Sequence, residues 1–296
     1  MYDRAYTDEL YQKKGGSAMR ERKGRKPLRF IVELIGIVLG IIYVSPVLIV
    51  FINSLKPMKS ILKEPFALPK ELYLDNIKYV WEIMDYLNLL KNTVLISAAV
   101  VIVSILFSSM AGWMLARDGS RRSKVITVLF LSSMLVPFQS FMIPLAKLVS
   151  MIHISDTRWG YVWVICTLYA PMGVFVYQGF VKNVPLDLED AARIDGASTL
   201  RVFFNVTFPL MKPITASLAT LYSIWVWNEY LTALLMLKSE SKKTITVAIN
   251  SFFSIYYSRW DYAITSVAFS VIPITIVFLF MQKYVIEGVT AGAVKG

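Results

Sequence analysis

Apolar residues in this chain fall in runs of roughly 18 to 25, the length an α-helix needs to cross about 30 Å of hydrocarbon. No other feature restricts the fold as strongly. Lipid offers no partner to a backbone N–H or C=O, so only helices and closed barrels can cross it. Six runs are predicted to span, over residues 31–52, 93–115, 125–149, 161–180, 214–236 and 263–281. At 296 residues, 56% hydrophobic, with mean hydropathy +0.56, the chain is far more apolar than a soluble domain. The expected class is an all-α, polytopic membrane protein with about six transmembrane helices. Its membrane domain covers 30–296 and follows a polar, basic tail at 1–29. The first apolar run follows that tail without a small-residue cleavage site, so the N-terminus does not read as a cleavable signal peptide.

The single cysteine, Cys166, rules out an intrachain disulfide, and the single histidine, His153, has no Cys or His companion for zinc or a catalytic triad. The net charge is +11, but its placement points to topology, not to nucleic acid. Basic residues crowd residues 20–29 before the first span and 117–124 after the second, without interleaved aromatics. With an even number of spans both termini share a side, and that side holds nineteen of the 31 Lys and Arg residues. The positive-inside rule then puts both termini, and the segment 184–213, in the cytoplasm. Pro46, Pro137, Pro144, Pro171 and Pro273 lie in or near the spans, where each removes a backbone donor. Ser104, Ser108 and Gly112 recur every four residues, a small-residue face suited to close helix packing.

Residues 184–213 form the most informative polar stretch. Pro185 suits a first helical turn, and Asp187, Glu189 and Asp190 sit where the helix dipole favours negative charge. Ala191 and Ala192 are strong helix formers, Gly196 can end the helix in a left-handed conformation, and Ser198 can cap a second helix. The prediction is a helix–turn–helix across the inner face. Its acidic first half suits a protein partner better than an anionic leaflet.

The run DLEDAARIDGAS resembles the EAA motif of binding-protein-dependent ABC transporter permeases, roughly E-A-A-x-x-x-G with an Asp before the Gly. Asp190, Ala191, Ala192, Asp195 and Gly196 match it, with Asp190 where Glu is usual, so that either Glu189 or Asp190 can make the family's contact. PFQSFMIPL at 137–145, WNEYLTAL at 227–234 and QKYVIEGVTAGAVKG at 282–296 are similar to the carbohydrate-uptake, maltose-permease-like branch. The resemblance implies a type I ABC importer transmembrane domain in the bacterial cytoplasmic membrane. Its EAA segment would be a cytoplasmic coupling helix docked on a separate ATPase through Glu189, Asp190, Ala191, Ala192, Asp195 and Gly196. Two ATPase subunits, a second related permease and an extracytoplasmic solute-binding protein would complete the assembly, carrying a sugar or oligosaccharide. The glycine-rich tail 288–296, with Lys295, would lie near the ATPases. The chain has no G-x-x-x-x-G-K-[ST] phosphate loop, so ATP and Mg are expected on the partner and no cofactor or metal on this chain.

For the pathway itself, Trp227, Asn228, Glu229 and Tyr230 are expected in the outer half of the fifth span. From Ile214 to Asn228 a helix climbs about 21 Å. Glu229, an acid at hydrocarbon depth, marks either a functional site or a helix–helix hydrogen bond. Gln139, beside Pro137, is a further candidate, and Trp225 and Trp227 could stack on sugar rings. Phe252, Phe253, Tyr256, Tyr257, Trp260 and Tyr262 read as an interfacial belt before a docking surface. Two other classes compete. An ion-coupled secondary transporter would depend on Glu229, since the only other acid in a span, Glu33, can snorkel. A membrane-embedded enzyme would need paired carboxylates or a nucleophile–base set, and none is evident.

Overall fold

The computed structural model describes residues 30–253 and 259–293, with side chains through Lys283. The tail 1–29, the loop residues Tyr256 and Tyr257, and 294–296 with Lys295 lie outside the described residues. Among the described residues every regular element is helical.

The first long helix, α1 (Phe30–Ser54), is followed by two short ones, α2 (Met58–Lys63) and α3 (Asp75–Ile83). Asp85, at φ 45°, turns the chain sharply into α4 (Tyr86–Arg117). Next come α5 (Arg121–Ser133), α6 (Phe138–Met151) and α7 (Arg158–Val181). Then follow α8 (Leu186–Ile194), α9 (Thr199–Leu210), α10 (Lys212–Trp227), α11 (Leu231–Met236), α12 (Ile245–Ile249) and α13 (Trp260–Ala293).

Among the described residues, helices α1, α4, α7 and α13 are each long and apolar enough to cross a membrane, and the total is six if each of two bent pairs is counted as one span. Two expected spans are therefore not single helices. The third, predicted over 125–149, is broken between α5 and α6 by a 102° bend. Pro137 stands at the break as the residue before α6; it has no N–H to continue α5 and biases Val136 away from helix. The fifth, predicted over 214–236, stops at Trp227, and α11 is a separate short helix. At its other end α10 joins α9 at 80° around Met211, flanked by Pro209 and Pro213. By contrast Pro144, Pro171 and Pro273 stay inside continuous helices.

Helix α4 and helix α7 pack along one another, and the small-residue face predicted on α4 makes that seam. A Cβ built on Gly112 would lie 2.6 Å from Tyr177 Cβ and 3.0 Å from the Val174 carbonyl oxygen. One built on Gly173 would meet Ser108 Cβ at 2.6 Å. Cys166 is buried in the same seam, its thiol 3.7 Å from the Val100 carbonyl. Trp113, Tyr177, Phe203, Leu218 and Tyr222 form a cluster joining α4, α7, α9 and α10, so the polar segment after α7 is built onto the bundle. Helix α1 differs: its most apolar 18-residue window has no residue buried inside the chain.

The end of the bundle opposite α8 is fastened by Asp156, at φ 55° between α6 and α7. Its carboxylate accepts from the amides of Lys238 and Ser239 at 2.9 and 3.0 Å, from the Ser239 hydroxyl, and from Lys242 Nζ at 3.0 Å. The Ser239 hydroxyl, then the Ser239 amide, hold this carboxyl well below the usual carboxylate range. Asn92 Nδ2 donates to the Ser241 and Lys243 carbonyls at 2.8 and 3.1 Å and secures the same loop to α4.

Candidate functional site: the helix beyond the bundle

Helix α8 forms where the sequence predicts it. Asp187 and Glu189 occupy its first turn and Arg193 its last, each complementing the dipole. Pro185 immediately precedes the helix. At the far end Gly196 adopts φ 81°; its N–H reaches the Arg193 carbonyl, and that of Ala197 the Ala192 carbonyl, both at 3.0 Å. This closes the helix with the paired bonds of a Schellman turn. Ser198 Oγ then accepts from Arg201 N at 3.4 Å and starts α9.

One face of α8 turns inward. Glu189 is 0% exposed, an expensive position for a carboxylate without charged partners. Charged and neutral donors reach it from three elements. From α4, Trp113 Nε1 donates to both oxygens at 3.1 and 3.2 Å. Arg117 donates Nε and Nη2 to Oε1 at 3.1 and 2.8 Å, and Nη2 also reaches the Val184 carbonyl at 2.9 Å. From α9, Thr207 Oγ1 donates at 3.0 Å. From α8 itself, Arg193 lies at 3.5 Å. Residues Phe203–Thr207 form a π-helical turn inside α9, and this wider turn is where Thr207 faces Glu189. Phe203 packs on Trp113 at a centroid distance of 5.2 Å.

The other face turns outward. Asp190 is half exposed and, among the described residues, forms an ion pair only with Arg193 on the same helix, at 2.7 Å. Asp187, Ala191, Asp195 and Gly196 are exposed, Ala192 is half-buried, and Ile194 is 85% exposed. Of the six predicted coupling residues, five are thus accessible to some degree and Glu189 alone is fully enclosed. The sequence reading missed Trp113, Thr207 and the role of Arg117, which it counted only as a topology charge. Trp113 and Arg117, one turn apart on α4, meet Thr207 and Glu189 only in the folded chain.

The predicted pathway residues divide differently. Trp227 is buried, and its Nε1 donates to the Ser270 carbonyl at 3.2 Å, so it joins α10 to α13. Asn228 ends α10 and donates back to Ile224 O at 2.8 Å. Glu229 lies in the gap between α10 and α11, not inside a helix as expected, and accepts from Thr232 N at 2.9 Å, capping α11. Tyr230 is half-buried against the core. Gln139 is exposed in the first turn of α6 and makes no hydrogen bond to the other four. Trp225, at the exposed edge of α10, packs against Tyr169 and Tyr222. In the belt region Tyr262 stacks on Tyr79 at 4.0 Å, with the Arg259 guanidinium 3.6 Å from its ring.

Comparison with known proteins agrees with this architecture. Residues 104–290 match the family described as "Binding-protein-dependent transport system inner membrane component". The chain is 33% identical over 267 residues to the probable starch degradation products transport system permease protein AmyC of Thermoanaerobacterium thermosulfurigenes, covering 90% of this chain and 97% of that one. It is 31% identical to the melibiose/raffinose/stachyose import permease protein MelC of Bacillus subtilis, covering 93% and 100%. Its fold is that of a chain in the crystal structure of a bacterial ABC transporter involved in the import of the acidic polysaccharide alginate. The TM-score is 0.75 at 21% identity, over 88% of this chain and 97% of that one. The chain belongs to the binding-protein-dependent transport system inner membrane component family. It is a permease subunit of an ABC importer, a transport component and not an enzyme, and the secondary-transporter and membrane-enzyme readings fall away.

Proposed function

We propose that this chain forms half of the translocation pathway for a sugar or oligosaccharide and takes its driving force through α8. A solute-binding protein would deliver the cargo on the outer side, and two ATPase subunits holding ATP and Mg would act on the inner side, where both termini lie. The observation that carries this reading is the two-sided character of α8. Its inner face is fastened to the bundle through Glu189, and its outer face offers Asp190, Ala191, Ile194 and Asp195 to a partner. An acidic rim around an apolar side chain suits a partner groove with basic edges and an apolar floor.

The names of AmyC and MelC, together with the arabinooligosaccharide permease AraQ of Bacillus subtilis at 32% identity, support a carbohydrate cargo. The uncovered sides of α1 support a second permease subunit, related to this one, as the occupant of part of that surface. Trp225, Asn228, Glu229, Tyr230 and Gln139 are the side chains we assign to the pathway's neighbourhood; Trp227 is assigned to packing.

The test is reconstitution of the complex in proteoliposomes with its binding protein and ATPase. Addition of loaded binding protein should raise ATP hydrolysis and move unaltered saccharide inward. Asp190→Asn with Ile194→Asp should release the ATPase from the purified complex. Retention of the ATPase with normal uptake in that variant would refute the assignment of α8.

A further inference from the structure

We propose that Glu189 is a positioning residue, the pin that makes α8 and the ends of two spans move as one body, while Asp190 is left to face the partner. The inference rests on the reading of α8 as the point where force enters.

A nine-residue helix outside the bundle cannot carry load by itself, because isolated helices of that length are marginal. It must be gripped, and the grip is concentrated on one carboxylate. Trp113 and Arg117 lie in the last two turns of α4, and Thr207 lies in the π turn that leads through α9 into α10. Glu189 accepts from all three at 2.8 to 3.2 Å with no exposure to solvent. Arg117 also holds the Val184 carbonyl at 2.9 Å, so a single guanidinium secures both the chain entering α8 and the helix interior. Any displacement of α8 therefore pulls on α4, which is packed along α7, and on α10 across the 80° joint. Releasing that grip exposes an unpaired charge on each side, which keeps the three elements together through a cycle. Asp190 has no such reach, since among the described residues its one ion-pair partner is Arg193 on its own helix.

Fastening and docking are thus assigned to adjacent acids about 100° apart on one helix, one enclosed and one half exposed, with Arg193 reaching both. The arrangement predicts that they fail differently. Asp190 variants should lose the partner. Glu189 variants should keep the partner but transmit its stroke poorly.

The experiment compares Glu189→Gln with Asp190→Asn in the reconstituted complex, and reads saccharide moved per ATP hydrolysed as well as ATPase retention. Glu189→Gln is expected to retain the ATPase and to lower that ratio about fivefold or more, the low end of coupling between distant sites. Thr207→Val with Trp113→Phe removes donors without stranding a charge, and should lower the ratio in the same direction at normal membrane levels. An unchanged ratio in the Thr207→Val, Trp113→Phe variant would overturn the pin, whether or not Glu189→Gln accumulates. Should Asp190→Asn show normal ATPase retention and uptake, the reading of α8 as the docking helix fails instead, so the two failures are distinguishable.

Discussion

The α4–α7 seam makes a quantitative test of how tightly this bundle is packed. In Gly112→Ala the new methyl carbon would sit 2.6 Å from Tyr177 Cβ and 3.0 Å from the backbone of Val174 and Gln178. Carbon atoms in contact rest about 3.5–4.0 Å apart, so roughly 1 Å of overlap must be relieved. Two of the three obstacles are backbone atoms and the third is a Cβ, so no rotamer change removes them; the helices must separate. Overpacking of that kind costs about 1–3 kcal/mol. Replacing a mid-helix glycine by alanine returns about 1 kcal/mol. The net loss reaches about 2 kcal/mol, which at roughly 2–4 °C per kcal/mol lowers Tm by up to about 8 °C. The control is Gly179→Ala on α7, where a Cβ meets nothing within 4 Å and only the helical gain applies. The assay is thermal unfolding of the purified chain in one detergent, followed by tryptophan fluorescence. A Gly112→Ala protein as stable as the Gly179→Ala control would refute the claim that close backbone approach sets the seam.

Three further outcomes are expected. Gly196→Val places a branched side chain at φ 81°, costing at least about 1 kcal/mol locally although a Cβ there has open space. Uptake should fall while membrane insertion, measured by protease accessibility, stays intact. The Asp156 carboxyl is held below its ordinary range, so the stability it lends to the 238–242 loop is complete above the unfolded carboxylate pKa. That stability declines as pH falls below the unfolded value and is gone once pH has fallen through the lowered folded one. Amide exchange in 238–244, corrected for the intrinsic rate, should therefore be flat from neutrality into the mildly acidic range, and Asp156→Asn should raise it at every pH. Arg117→Met leaves the Glu189 charge buried without its main cation, a loss of about 3–5 kcal/mol. Membrane levels of that variant should fall sharply, and Arg117→Met with Glu189→Met should recover part of them.

How much of this was legible before folding depended on the range of the interaction. Residues 186–194, the left-handed Gly196 and the Ser198 cap are local, and each followed from propensity and capping rules. The small face Ser104, Ser108 and Gly112 was legible as a packing surface because period four identifies one side of a helix, although its partner Gly173 was not. The breaks were half legible. Pro137 marked the place where the third span bends, yet Pro144, Pro171 and Pro273 look alike in sequence and leave their helices whole. What separates them is the packing of neighbouring helices, which can satisfy the groups a proline frees. The end of α10 at Trp227 carried no proline or glycine signal, so Glu229 was placed in a helix that stops short of it.

Long-range convergence was not legible at all. Glu189 and Asp190 are adjacent acids on one predicted helix, and nothing in their spacing says which is enclosed. The choice is made by Trp113 and Arg117, more than seventy positions away, and by a π turn that aims Thr207 at one acid and not the other. Arg117 still counts toward the expected positive-inside signal, because acidic neighbours contribute little to it. One guanidinium can therefore serve both the orientation expected from sequence and the pin in the folded chain. In a membrane protein the two roles favour the same depth. An α4 of 32 residues is about 48 Å long against about 30 Å of hydrocarbon, and the span expected over 93–115 ends before Arg117, so its final turn is expected beyond the lipid core. There an arginine can stay charged, and a carboxylate brought over it by α8 can be buried by protein without being immersed in lipid.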